Sequence, residues 1–212
     1  MDTLISIKPL LAVLVSLLAI PFIAYSRSPN VREGWTFLAA IVKFGIVAAM
    51  LPAVLNGMEI SCALVEVLPG LSIAFRVDAF GMLFALVASF LWIITSVYSI
   101  GYMRGLDEHA QTRYFCFFAI SLSAAVGVAF SANLLTMYLF YEMLSLATYP
   151  LVTHHQDEEA RTSGRKYLLY TVGASIGLVL PAMLMTYHLT GSLDFSPQGI
   201  LAGTASRGTV AL

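Results

Sequence analysis

Long apolar blocks alternate with short polar links along this chain. Six blocks approach the roughly 20 apolar residues that a helix needs to cross a bilayer. They are residues 4–25, 35–55, 79–102, 114–130, 133–153 and 167–189. Helices are expected in each, because a helix satisfies its own backbone groups in lipid. Pro9 and Pro21 interrupt the first block and Pro181 the last, where a kink is expected.

The links differ in kind. Residues 56–78 form a polar interval too long for a tight turn. Within it, 59–67 and 71–77 flank Pro69 and Gly70, and Ser72, Ala74 and Arg76 lie between apolar neighbours. That pattern predicts a β-hairpin at the membrane surface. Ser131, Ala132 and Asn133 barely separate the fourth and fifth blocks, so these two helices must run antiparallel, with Ser131 or Asn133 as N-cap. After the sixth block comes a Gly- and Ser-rich stretch, 190–207, and then an apolar run from Gly208 to Leu212 that predicts the start of a seventh helix.

Composition fixes the class. Hydrophobic residues make up 59% and charged residues 11%, where a soluble domain carries about 25%. The expected fold is an all-α polytopic membrane protein of about six spans with a small extracytoplasmic hairpin. The net charge of −1 gives no reason to expect a nucleic-acid partner. Cys62 and Cys116 share no short spacing and suggest neither a disulfide nor a metal site. Lys8 before an apolar run imitates a signal peptide, but no small-residue cleavage site precedes Arg27. Seven Lys and Arg residues flank the first, third and fifth links, against three on the other side, which predicts an outside N-terminus. The lipid bilayer of the cell (inner) membrane is the expected setting.

Against this apolar background Glu142 is the informative residue. It is the one charged side chain between Leu134 and Val152. A charge near the bilayer centre costs roughly 2.5–3.5 kcal/mol on insertion scales, so a carboxylate there points to a proton or ion pathway. On a helix Tyr138, Glu142, Ser145 and Tyr149 share one face, which should meet protein or water rather than lipid. Burial favours the neutral form of a carboxylate, and a movable cation favours the charged form, so the pair is a means of loading and releasing protons. The bland alternative is a structural glutamate bonded to a neighbouring helix. Lys166, behind Arg161 and Arg165, reads either as a flanking charge or as a charge partner for Glu142.

Other polar residues carry weaker signals. Lys43 sits about eight residues inside the second block and suggests a structural role facing other helices. His154 and His155, with Asp157, Glu158 and Glu159, could gather protons or bind a metal, but adjacent histidines point apart on a helix, so a shared metal is not expected and a solvated loop is the default. His188 is a candidate exit group. Gly173 and Gly177 form a GxxxG match that permits close helix contact. No nucleotide loop, haem pair or iron–sulfur cysteine pattern is present in the sequence, so no cofactor and no redox chemistry is expected of this chain itself.

Phe75-Arg-Val-Asp-Ala-Phe-Gly81 leading to Tyr98-Ser-Ile-Gly-Tyr-Met103 resembles the N-terminal signature of the proton-conducting antiporter-like subunits. Ser131 through Met143, followed by Ala147-Thr-Tyr-Pro-Leu151, resembles the start of their core. That family includes large membrane subunits of complex I, membrane-bound hydrogenases, and the A-type and D-type subunits of Mrp-type cation/proton antiporters. The details look most like the D type. The resemblance implies inverted helical repeats, an N-terminal region over 1–112 and the start of a conducting core over 113–212. It also implies that Glu142 matches the conserved glutamate and, more weakly, that Lys166 matches a basic position. The lysine-bearing seventh helix of the family is expected to begin near Leu212. Proton-transfer candidates are thus Glu142, Lys166, Tyr138 and Ser145. Three functions follow. One is an antiporter subunit moving protons and Na+ or K+ among other membrane subunits. Another is a proton-pumping subunit of a redox-driven complex. The third is a non-conducting scaffold.

Overall fold

The computed structural model describes residues 3–68, 70–196 and 198–201. A short strand, β1 (Thr3–Ile5), precedes helices α1 (Lys8–Ala24), α2 (Pro29–Ala48) and α3 (Leu51–Leu55). Strands β2 (Glu59–Leu68) and β3 (Leu71–Val77) follow. Then come α4 (Ala79–Gly105), α5 (Gln111–Ala129), α6 (Leu134–Val152) and α7 (Glu158–Ala174). A π-helical turn, Ser175–Val179, joins α7 to α8 (Leu180–Thr190).

Helices overlap all six apolar blocks, but α2 begins at Pro29 and α7 at Glu158, ahead of their blocks, and three further differences stand out. The first block does not begin as helix. Residues 3–5 pair in parallel with β2, and Pro9 takes up the first turn of α1, where its missing N–H costs nothing. The second block breaks after Ala48, and Pro52 starts a short separate helix. In the sixth block the expected distortion at Pro181 is a π-bulge over the preceding turn. A proline cannot donate to the ladder and crowds the carbonyl four residues back, and an added residue in the turn relieves both.

Among the described residues, four helical segments are long and apolar enough to cross a membrane: Pro29–Leu55, Ala79–Gly105, Gln111–Ala129 and Glu158–Thr190. Lys8–Ala24 is apolar but shorter. The glutamate-bearing α6 is not among the four. The seventh helix expected to start at 208–212 lies outside the described residues.

α1, α2, α4 and α5 form one bundle, and α6 packs on α5 on one side and α7 on the other. Gly127 lets α5 and α6 approach closely, since a Cβ there would collide with the Phe140 ring. Two apolar clusters fill the bundle, one around Val13, Met50, Phe75 and Phe130 and one around Ile23, Trp92 and Phe115.

The hairpin is the predicted one, joined by β1 into a three-stranded sheet. It docks on the tight α5–α6 link. Arg76 N donates to Phe130 O, and Ala132 N to Ala74 O. Asn133 caps α6 by accepting from Thr136 N, and its own amide donates to Ser72 O at 2.7 Å. The chain after α8 returns to the same link, where Leu134 N bonds Leu193 O. The hairpin, this link and residues 193–195 therefore share one end of the molecule. The α1–α2, α4–α5 and α6–α7 connections gather at the other.

Candidate functional site

The stripe on α6 meets the last helical segment at Tyr138, Glu142 and Tyr149. Tyr138 packs against the Leu71, Met183 and Leu193 cluster. The Glu142 carboxylate accepts a hydrogen bond from the Ser175 hydroxyl. Tyr149 and Thr153 lie over Gly164, where a Cβ would collide with the Thr153 methyl. Thr148 and Tyr167 share a hydroxyl contact of 2.6 Å. Ser145 is buried, while Tyr138, Glu142 and Tyr149 are half-buried.

Ser175 is buried and opens the π-helical turn. An extra residue in such a turn releases backbone groups from regular bonding and marks functional sites often. The carboxylate on α6 thus meets the distorted part of the opposite helix. Nothing in the residues around Ser175 singles it out in the sequence; the nearby Pro181 is the one available signal.

Lys166 is exposed on α7, nine residues before Ser175, or about 13 Å along the helix. Among the described residues no ion pair joins it to Glu142. The Gly173 and Gly177 pair makes no close helix contact either; both are exposed, and Gly164 provides the close approach instead. His188 is exposed.

Lys43 is 0% exposed, between α2, α4 and α5. Its Nζ donates to Leu122 O at 3.2 Å and lies 5.4 Å from the Trp92 ring centroid. The helix-facing position expected from the sequence is the one observed.

At the end holding the α4–α5 connection, charges that read in the sequence as flanking residues form a network. Glu33 is 4% exposed and binds Arg104 through both carboxylate oxygens. Arg32 lies 3.5 Å from Glu33 and donates to Gln111 and Thr112. Nearby, Glu108, His109 and His154 converge, with Arg113 Nη2 donating to His154 O at 2.6 Å. Burial pushes the His154 imidazole below its usual range, and His109 and Arg113 add to the effect; Glu108 opposes it. A cleft lined by Arg113, Phe117, Tyr149, Pro150, Thr153, Gln156 and Arg161 opens beside this cluster and reaches the Tyr149 end of the α6 stripe.

Residues 131–206 match the family model described as NADH:quinone oxidoreductase/Mrp antiporter, transmembrane. Residues 69–115 match that of the NADH-ubiquinone oxidoreductase (complex I) chain 5 N-terminus. Both matches point toward the Mrp/complex I antiporter-like family, and each covers less than half of this chain. With the apolar helices, they support a multi-pass membrane protein.

The Na+/H+ antiporter subunit A1 of Staphylococcus aureus (strain bovine RF122 / ET3-1) is 28% identical over 170 residues, covering 78% of this chain and 21% of the relative. Its counterpart in strain JH9 is 27% identical over the same span. The chain therefore spans about a fifth of the length of these curated relatives. They are of the A type, and the D type expected from the sequence finds no support among them.

Two solved structures share the fold. A chain of the membrane-bound sulfane sulfur reductase, an archaeal respiratory membrane complex, aligns with a TM-score of 0.75 at 18% identity, covering 90% of this chain and 29% of that one. A chain of the Mrp complex from Dietzia sp. DQ12-45-1b aligns at 0.71 and 19%, covering 89% and 35%.

Proposed function

We propose that this chain is an ion-translocating membrane subunit of a multi-subunit antiporter, of the A or D type, and that Glu142 carries its proton. The observation that carries the reading is the contact of Glu142 with Ser175 at the π-turn. A carboxylate held by one hydroxyl, and by no ion pair among the described residues, is free to change protonation state without breaking a salt bridge. Tyr138 and Ser145 extend the polar path along the same face. Lys166 acts at the mouth of that path, as an exposed cation half-way along α7. Protons and Na+ or K+ are the exchanged ions, and neighbouring membrane subunits complete the path.

In this reading residues 1–112 form an N-terminal region that carries the sheet, and residues 113–212 belong to the conducting core. The excess of Lys and Arg at the α6–α7 end supports a cytoplasmic position for that end, with the N-terminus and hairpin outside the cell membrane.

A redox-driven pump subunit is the second reading. It is favoured by the match of residues 69–115 to a complex I model and by the shared fold with the sulfane sulfur reductase chain. Cation-dependent proton movement in membrane vesicles holding the complete assembly, without any electron donor, separates the two. Exchange without a donor supports the antiporter, whereas a strict need for a donor supports the pump.

A further inference from the structure

The α4–α5 loop and the end of α6 bring together Glu108, His109 and His154, whose ligand atoms all lie within 4.8 Å of one another. Glu108 Oε2 is 3.6 Å from His154 Nε2 and 3.7 Å from His109 Nδ1. Both distances are long for hydrogen bonds. They are close to what a shared metal requires of those two pairs, while the two histidine nitrogens, within 4.8 Å of each other, close on the ion when it binds. Zinc–ligand bonds of about 2.0–2.1 Å in a tetrahedron place neighbouring ligand atoms about 3.3–3.4 Å apart.

The tautomers fit as well. His109 Nε2 lies 3.0 Å from His154 O, and a carbonyl oxygen can only accept. The Nε2 proton is therefore engaged, which leaves the Nδ1 lone pair toward Glu108. Such an outer bond to the second ring nitrogen is the usual means of orienting a metal-binding histidine. His154 has a side chain only 12% exposed, and both its ring nitrogens are buried with no hydrogen-bond partner among the described residues. Two buried nitrogens left unbonded carry a cost that a bound ion removes at one of them. The loops are already set in unusual conformations, with Asp107, Ala110 and Gln156 at φ of 50°, 52° and 59°.

We infer that Glu108, His109 and His154 form a binding site for a divalent transition ion of the zinc type. Two imidazoles and one carboxylate select zinc-like ions over magnesium or calcium. Three protein ligands leave a fourth position for water. Arg113 lies against His154 and opposes the ion's charge, so the site is one for reversible occupancy rather than a permanent structural metal. An ion there ties the α4–α5 loop to the end of the helix that carries Glu142. The ion site does not depend on the transport reading.

The test uses the chain in detergent micelles, purified with a tag free of histidine. Zn2+ binding is measured by calorimetry, and Co2+ binding by its visible absorption. One saturable ion per chain is expected. Glu108→Gln and His109→Ala should each weaken binding at least tenfold, while His155→Ala, which alters the neighbouring ring, should leave it unchanged. His109 is exposed, so its variant decides the matter even if Glu108→Gln disturbs the fold. Absence of saturable binding, or binding that survives His109→Ala undiminished, overturns the site.

Discussion

Ser175 on the π-helical turn donates its hydroxyl proton to the Glu142 carboxylate across the interface between α6 and the last helical segment. A hydrogen bond to a charged group contributes about 1.5–3 kcal/mol, and 1.4 kcal/mol is a factor of ten. Ser175→Ala should therefore slow cation-dependent proton exchange about tenfold or more in vesicles carrying the assembled complex, while Ser175→Thr keeps most of the rate. Equal rates in the serine and alanine forms would separate this contact from transport.

Lys43 makes a different case. It is fully enclosed, and its ammonium has one carbonyl and one indole ring as partners. Taking a charge out of water is costly, and apolar replacement of buried ions is often neutral or stabilising. Lys43→Met, which keeps the stem's volume, should match or raise the thermal unfolding midpoint in detergent. Lys43→Ala opens a cavity and should cost about 2–5 kcal/mol, by analogy with large-to-alanine changes in cores. A marked loss of stability in the methionine form would mean that the charge is balanced by an interaction beyond these two.

Glu33 holds two arginines at the other end of the bundle. Breaking a buried pair from one side typically costs about 3–5 kcal/mol, because it strands a charge. Glu33→Gln leaves Arg32 buried without its carboxylate, so its cost should be a large part of that range. Arg104 is 45% exposed, and its contribution is screened by solvent. Arg104→Gln should destabilise less than Glu33→Gln but still measurably, because it leaves the buried Glu33 with Arg32 alone at 3.5 Å. Denaturation of both variants in the same detergent compares them directly, and a reversed order would contradict this network.

Much of the fold is legible in the sequence because its signals are local. Apolar length marks the helices, Pro69 and Gly70 mark the hairpin, and Asn133 marks the start of α6. The face shared by Tyr138, Glu142, Ser145 and Tyr149 follows from helical period alone. What meets that face does not, because Ser175 reaches Glu142 only through the packing of α6 against the last helical segment and a turn that departs from helical period. The strand at Thr3–Ile5 is hidden for a similar reason: its apolar residues suit a helix, and only pairing with β2 makes them a strand. The cluster of Glu108, His109 and His154 joins residues some 45 positions apart, a distance over which no sequence pattern constrains them.

Whether Glu142 carries the proton is decided by one substitution. Glu142→Gln preserves size and still accepts from Ser175, yet it cannot take up and release a proton. In vesicles holding the complete assembly, cation-dependent proton exchange should fall by on the order of 10²-fold or more, the scale of a lost acid–base group, with the subunit still incorporated at normal levels. Normal exchange by a fully assembled Glu142→Gln complex would contradict that role.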